Sequence, residues 1–210
     1  MLFHVLDSLL GTTTKVRVLR ALMQLDSPVS GNEAQRLARV RSADSMWTAL
    51  EELSDLGILS REQTRGSHLY LINREHDLYP SLSALFEAEA ARLFRLREWL
   101  RGSLAAAGLA DTVRSVILYG SNARAAATAR SDVDLLVIVE DDTAVSTVRD
   151  ALMTGAPSFE GQMGLRISPY VLPRERVQAR YRDGDPLMKT ITDEGRVLLG
   201  EPLQEVADAW

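Results

Sequence analysis

Apolar residues recur at helical spacing in three stretches near the start of the chain. Val16, Val18, Leu19, Leu22 and Leu25 follow the capping run Gly11-Thr12-Thr13-Thr14, and Asp26-Ser27-Pro28 ends that segment. Ser30-Gly31-Asn32-Glu33 has the form of a capping box and opens a second helix that carries Ala34, Leu37 and Ala38. A third helix is expected from Ser42, with Met46, Ala49, Leu50 and Leu53 on one face and Gly57 just past its end. Residues 58–62 and 68–72 alternate apolar and polar around Thr64-Arg65-Gly66-Ser67, which reads as a β-hairpin. From 82 to about 104, Leu85, Phe86, Leu93, Phe94, Leu96, Trp99 and Leu100 alternate with acids and arginines. They predict one amphipathic connecting helix, a packed spacer and not a flexible linker.

The second half alternates strand and helix signals. Strands are expected at 113–119, 133–139 and 165–172, the second buried on both faces and the third pushed to a sheet edge by Pro169. Gly120 to Ala126 reads as a turn entering a helix, 143–153 as a helix, and the tail from Pro173 as mostly helical. The expected class is α+β: a helical module with a hairpin over 1–80, a connecting helix over 81–107, and a small mixed sheet with helices over 108–210.

Composition narrows this further. The chain has 210 residues, 46% hydrophobic and 25% charged, which is ordinary globular usage. No apolar run approaches the roughly 20 residues of a membrane helix, and the first residues lack the basic and apolar regions of a secretory signal. The absence of cysteine excludes disulfides, thiolate zinc sites and cysteine nucleophiles, and a cytoplasmic location is expected. The net charge of −5 gives no global attraction for nucleic acid, so any such contact must be local.

The most informative chemistry is Gly120-Ser121 followed by Ser131-Asp132-Val133-Asp134-Leu135. Spacing by two on a strand puts the carboxylates of Asp132 and Asp134 on one face. Two such charges repel unless a cation lies between them, and oxygen-only ligands suit Mg²⁺ held jointly with substrate phosphates. Gly120 lets backbone approach a ligand closely, and Ser121 and the amides after it sit at a helix start where N–H groups face an anion. Arg124, on the first turn, brings a fork of donors within reach of a phosphate oxygen.

These residues together resemble the nucleotidyltransferase superfamily of the DNA polymerase β type in its minimal form, over roughly residues 108–202. Asp185-Pro186-Leu187 through Leu199-Gly200 looks like the closing helix and strand of such domains. The resemblance implies Asp132 and Asp134 as catalytic and metal-holding residues. It also implies Gly120, Ser121, Arg124 and Ser131 as nucleotide-binding residues. The implied reaction moves a nucleoside monophosphate from a nucleoside triphosphate to an acceptor, with Mg²⁺ or Mn²⁺. The family's third carboxylate, on the next strand, has no counterpart: Ser168 or Pro169 stands in its place, and Glu160 lies upstream in a Gly-rich turn. His4, His68 and His76 all lie in the first half, so no histidine offers itself as a local base. Ala125 stands where the family often has glycine.

The first half resembles a winged helix-turn-helix, with the helix pair 30–40 and 42–56 and a wing at 61–71. That likeness implies DNA contacts from Arg41, Ser45, Thr48, Arg61 and Arg65. Against DNA, residues 1–80 hold nine Lys+Arg and ten Asp+Glu, and Asp44 and Glu51 sit on the face that would meet the groove. Beside the antitoxin-like role that some minimal nucleotidyltransferases play, modifying or masking a partner encoded nearby, two functions stay open at this stage. One is a nucleotidyltransferase directed to DNA or to a protein acceptor. The other is a DNA-binding transcriptional regulator whose degenerate domain senses a nucleotide without turnover. A homodimer is expected from the paired half-sites that winged-helix regulators read.

Overall fold

Ser30 accepts the amide of Glu33 at 3.3 Å and Ser42 accepts the amide of Ser45 at 3.2 Å. These two hydroxyls fix where a pair of helices begins, as the capping pattern predicts. The structure, a computed structural model, describes residues 1–128 and 130–208, with Ser8 and Leu9 by backbone alone. It divides into two compact units, His4–Ala90 and Met1–Phe3 with the chain from Ala91 onward.

The first unit contains α1 (Val5–Leu9), α2 (Thr13–Leu22), β1 (Val29–Ser30), α3 (Gly31–Ala38), α4 (Ala43–Asp55), β2 (Leu59–Gln63), β3 (His68–Ile72) and α5 (Tyr79–Ala90). Its sheet has the order β1-β3-β2, antiparallel throughout, and Leu59 pairs with Ile72 at the base of the hairpin. Val18, Leu22, Met46, Leu50, Tyr70 and Phe86 meet in its core. The strand β1 is too short for an alternation signal. Leu37 departs from the expected inward face of α3: Ala34 and Ala38 are buried there, whereas Leu37 is 39% exposed.

The second unit contains α6 (Arg92–Ala106), β4 (Val113–Tyr119), α7 (Gly120–Ala123), β5 (Val133–Val139), α8 (Ala144–Met163), β6 (Ile167–Pro173), α9 (Arg174–Arg182), α10 (Pro186–Glu194), β7 (Arg196–Gly200) and α11 (Leu203–Asp208). The sheet order is β6-β5-β4-β7, with β5 and β6 parallel and the other pairs antiparallel. Val116, Leu118, Leu135 and Val137 face a core shared with Leu96, Leu100, Leu152 and Phe159 of α6 and α8. Ile117, Leu136, Ile138 and Leu172 face a second core shared with Val177, Met188, Ile191 and Val206 of α9, α10 and α11. The strand β5 is thus buried on both faces, as its unbroken apolar run predicts. Pro169 sits on the edge strand β6, where a missing N–H costs no ladder bond on the open side.

Three expectations are corrected. The stretch from 82 to 104 forms two helices, α5 and α6, and the boundary between the units falls at Ala90–Ala91. The helix expected to stop at 153 runs on to Met163 through Gly155 and Pro157. Val148, Leu152, Ala156, Phe159 and Met163 are all buried, so the apolar stripe continues and its burial outweighs a proline that costs about 3 kcal/mol in a helix interior. Glu160 is therefore part of a helix and not of a turn. Among the described residues no helix is long and apolar enough to cross a membrane.

Because Pro157 is exposed, Pro157→Ala gives up no packing and restores an amide to the ladder. It is expected to stabilise the second unit by about 1–3 kcal/mol, read as a higher melting temperature in thermal unfolding followed by circular dichroism.

Candidate functional site

The sheet register assembles the site. Tyr119 on β4 pairs with Asp134 on β5, and Asp134 pairs with Ser168 on β6. Paired residues share a face, so Tyr119, Asp134 and Ser168 form one row at the end of the sheet where β4 finishes and β5 and β6 begin. Asp132, two residues before Asp134 and just ahead of β5, falls on the same side. The position beside Asp134 on the next strand is Ser168, so the place of a third carboxylate is taken by a hydroxyl. Among the described residues no group of three or more His, Asp or Glu side chains is placed to hold a metal ion.

Gly120 is the closest neighbour of this row. Its φ is +71°, and a Cβ built there would lie 2.5 Å from Oδ2 of Asp134. Both the left-handed backbone and the close approach of the carboxylate therefore require glycine. Burial pushes the Asp134 carboxyl above the ordinary carboxylate range, and the like charge of Asp132 adds to the shift. Tyr119 is raised as well, by burial first and then by the charges of Asp134 and Tyr170. Arg166 stands 3.7 Å from Asp132 Oδ1 but is largely exposed, a loose ion pair.

The helix α7 after Gly120 is a single turn of four residues. Ser121 accepts the amide of Ala126 on its carbonyl at 2.9 Å. Ser131 lies in the loop before β5, where its hydroxyl accepts the amide of Thr128 at 2.9 Å and shapes the entry to Asp132. Arg124 donates to Glu194 at the end of α10, at 2.8 Å, so its guanidinium already holds a carboxylate. Ala125 has φ +55°, which explains why glycine suits that position.

Two supporting residues carry no obvious signal in the sequence. Asn122 is fully buried: its Nδ2 donates to the carbonyl of Asp132 at 2.7 Å, and its Oδ1 accepts the amide of Leu2 at 2.8 Å. This one amide ties the Gly-Ser turn to the acid-bearing strand and to the start of the chain. Arg196 on β7 donates to the carbonyl of Ala123 at 2.8 Å and lies over the Phe3 ring at 4.9 Å, closing the other end of α7. Further along the same face, Arg180 donates to the hydroxyl of Tyr170 and pairs with Asp185 at 2.7 Å, while Asp185 caps α10 through the amides of Leu187 and Met188.

In the other unit, Arg41 precedes α4 and Ser45 and Thr48 lie on its first two turns. The Ser45 hydroxyl donates to Ser42, and the Thr48 hydroxyl donates to the carbonyl of Asp44. Arg61 lies on β2, paired with Tyr70, and Arg65 lies in the hairpin turn. Trp47 is 45% exposed with its ring over Gly31, where a Cβ would lie only 2.5 Å from it, and Trp99 packs on Phe159 with ring centroids 4.6 Å apart. Neither tryptophan is a free stacking platform.

Residues 98–183 match the family model described as the nucleotidyltransferase domain. That span includes Gly120, Ser121, Asp132, Asp134 and Ser168. A comparison with curated proteins finds no match. A solved structure described as "Crystal structure of the toxin-antitoxin with AMP-PNP" is similar at 14% identity, over 53% of this chain and 80% of that one, with a TM-score of 0.32.

The two backbone positions give opposite expectations. Gly120→Ala collides with Asp134 and is expected to destabilise the unit by about 2 kcal/mol or more, whereas Ala125→Gly relieves a left-handed alanine and is expected to add up to about 1 kcal/mol; chemical denaturation measures both. The raised Asp134 carboxyl predicts a pH effect as well. Between its ordinary and its raised pKa the folded state binds more protons than the unfolded state, so stability falls as pH rises through that window. Asp134→Asn is expected to melt higher than the parent at neutral pH without metal, with the difference shrinking as pH falls from the raised value toward the ordinary carboxylate value; melts across pH check it.

Proposed function

We propose that the second unit binds a nucleoside triphosphate with a divalent cation, Mg²⁺ or Mn²⁺, through Asp132 and Asp134, and transfers a nucleoside monophosphate to an acceptor. The observation that carries this reading is the carboxylate pair on one sheet face with Asp134 seated against the bare Cα of Gly120. The residues fit such an ion as a pair of oxygen ligands that leaves the remaining positions to phosphates and water. When bound, the cation neutralises charge on the triphosphate and on the leaving pyrophosphate. Gly120 and Ser121 present backbone and hydroxyl to the phosphates, and Arg124, once released by Glu194, adds a charge-assisted donor. In the transfer an acceptor oxygen bonds to the α-phosphorus, the bond to the β-bridging oxygen breaks, pyrophosphate leaves, and the acceptor proton passes to water. A positioned base is commonly worth about 10²–10⁴ in rate, so a site with Ser168 beside Asp134 turns over slowly. The same Ser168 supports a second reading, a nucleotide sensor that binds without transfer.

For the first unit we propose a winged helix that contacts DNA. The element order α2-β1-α3-α4-β2-β3 and the sheet order β1-β3-β2 support it. Arg41, Ser45 and Thr48 would approach from the start of α4, and Arg61 and Arg65 from the hairpin. The exposed face of α4 also bears Asp44, Glu51, Glu52 and Asp55, so the contact would run through phosphates at the helix start and hairpin more than through bases. A cytoplasmic homodimer would offer two such units to paired half-sites.

Incubation with each labelled nucleoside triphosphate and Mg²⁺ or Mn²⁺ tests the first reading. Pyrophosphate release that is lost in Asp132→Ala and Asp134→Ala is expected of the enzyme. Metal-dependent binding by calorimetry without release marks the sensor, and absence of both ends the two readings together. Glu194→Gln, which frees Arg124, is expected to tighten nucleotide binding severalfold.

A further inference from the structure

The N-terminal unit contains an open cleft of about 520 Å³ between the first turns of α2 and the α3–α4 turn. Thr14, Arg17, Arg39, Arg41, Ser42 and Ser45 line it, with no carboxylate among the lining residues. Three arginines thus line one concavity in a region, residues 1–80, whose nine basic and ten acidic residues nearly cancel when all are counted. Their charge is only partly spent on neighbours. Arg17 gives only its Nε to Asp7, at 3.0 Å, which orients the side chain and leaves its terminal nitrogens open. Arg39 and Arg41 form no ion pair among the described residues.

A second observation comes from the backbone. Arg39 ends α3 with φ 53° and ψ 38°, in the left-handed region. The turn is pinned there: the amide of Val40 bonds the Gln35 carbonyl at 3.2 Å, and Gln35 Nε2 bonds the Val40 carbonyl at 3.1 Å. Glycine or asparagine is the favoured residue at such a helix end, and an arginine is strained there. This left-handed residue is one of the three arginines that line the cleft, so the turn fixes where its side chain starts.

We infer that this cleft is a binding site for a phosphate group, gripped by Arg17, Arg39 and Arg41 and by the hydroxyls of Thr14 and Ser42. The inference is independent of the nucleotide site at Asp132 and Asp134; its nucleic-acid form rests on the winged-helix reading, and its small-molecule form does not. The phosphate comes either from a nucleic-acid backbone or from a free phosphorylated small molecule. Guanidinium forks bond either one with short charge-assisted contacts.

The test uses the full chain without divalent metal, so that the carboxylate pair does not contribute. Two probes are titrated: a duplex DNA of arbitrary sequence, over a range of salt, and inorganic pyrophosphate. Arg39→Gly and Arg41→Gln are each expected to weaken binding of the recognised probe by about tenfold. In the DNA arm each also lowers the salt slope by about 0.9. Arg39→Gly is expected to melt no lower than the parent, because glycine relieves the left-handed strain; weaker binding in a protein at least as stable separates ligand contact from misfolding. Loss confined to DNA identifies a backbone phosphate, and loss with pyrophosphate identifies a free ligand; either supports the site. Parent-like binding of both probes by both variants, or no binding of either probe by the parent, overturns it. Arg65→Gln, on the hairpin, reports on the wing separately: loss of DNA binding there with pyrophosphate binding intact concerns the winged-helix reading alone.

Discussion

The contact on which the candidate site depends is the seating of Asp134 against Gly120. A carboxylate oxygen occupies the space that any other residue would fill with its Cβ, and the left-handed backbone at Gly120 turns the chain directly after β4. The register of β4 on β5 then follows from Tyr119 standing opposite Asp134, and the register of β5 on β6 puts Ser168 on the other side. Each strand of the row is held by a core on both faces of the sheet, so Asp134 sits at the end of a rigid platform, and Asp132 lies in the loop that leads directly into it. The cost is electrostatic. Burial and the proximity of Asp132 both oppose ionisation of Asp134, and a cation shared by the pair would relieve both.

Much of this was legible because it rests on local rules. Ser30 and Ser42 cap their helices as spacing predicts, Gly57 ends α4 in the left-handed region, and the unbroken run 133–139 is the central buried strand. What was not legible depends on long-range burial or on partners distant in sequence. Gly155, Pro157 and Gly161 read as helix breakers, yet the stripe from Val148 to Met163 keeps the helix because that face is buried. Leu37 reads as a core residue, yet Ala34 and Ala38 fill the contact and leave it outward. Within the site, Gly120, Asp132 and Asp134 were legible as a motif. Asn122 and Arg196 were not, since their partners are Leu2, the carbonyl of Asp132 and the carbonyl of Ala123.

Asn122 shows how a structural residue bears on a chemical one. Its fully buried amide has two partners, and losing either leaves a buried polar atom unsatisfied, a penalty of about 1–3 kcal/mol. One partner is the carbonyl of the residue that carries the first acid. The other is the amide of Leu2, which is itself buried in the core under the sheet. Residues 1–3 therefore belong to the unit that holds the acids, although the chain leaves that unit at His4 and rejoins it only at Ala91. The Gly-Ser turn is fixed at one end by this asparagine and at the other by Arg196, and its single helical turn needs both, since four residues cannot sustain a helix alone.

The arginines around the turn set the terms for any anionic ligand. Arg124 holds Glu194, Arg166 stands near Asp132, and Arg196 is committed to a carbonyl and an aromatic ring. A triphosphate entering here would exchange partners and not simply add them: Arg124 would give up a carboxylate to take a phosphate oxygen, and Asp132 would give up a loose guanidinium to take a cation. The pairs being broken are exposed and weak, so the exchange costs little, and the gain comes from contacts that the ligand brings at the enclosed end of the row, beside Gly120 and Asp134. On the proposed reading, selectivity for a charged phosphate with its cation, over either alone, would follow from that arrangement. The cation without phosphates meets only two carboxylates, and the phosphates without the cation meet the negative charge of the same two.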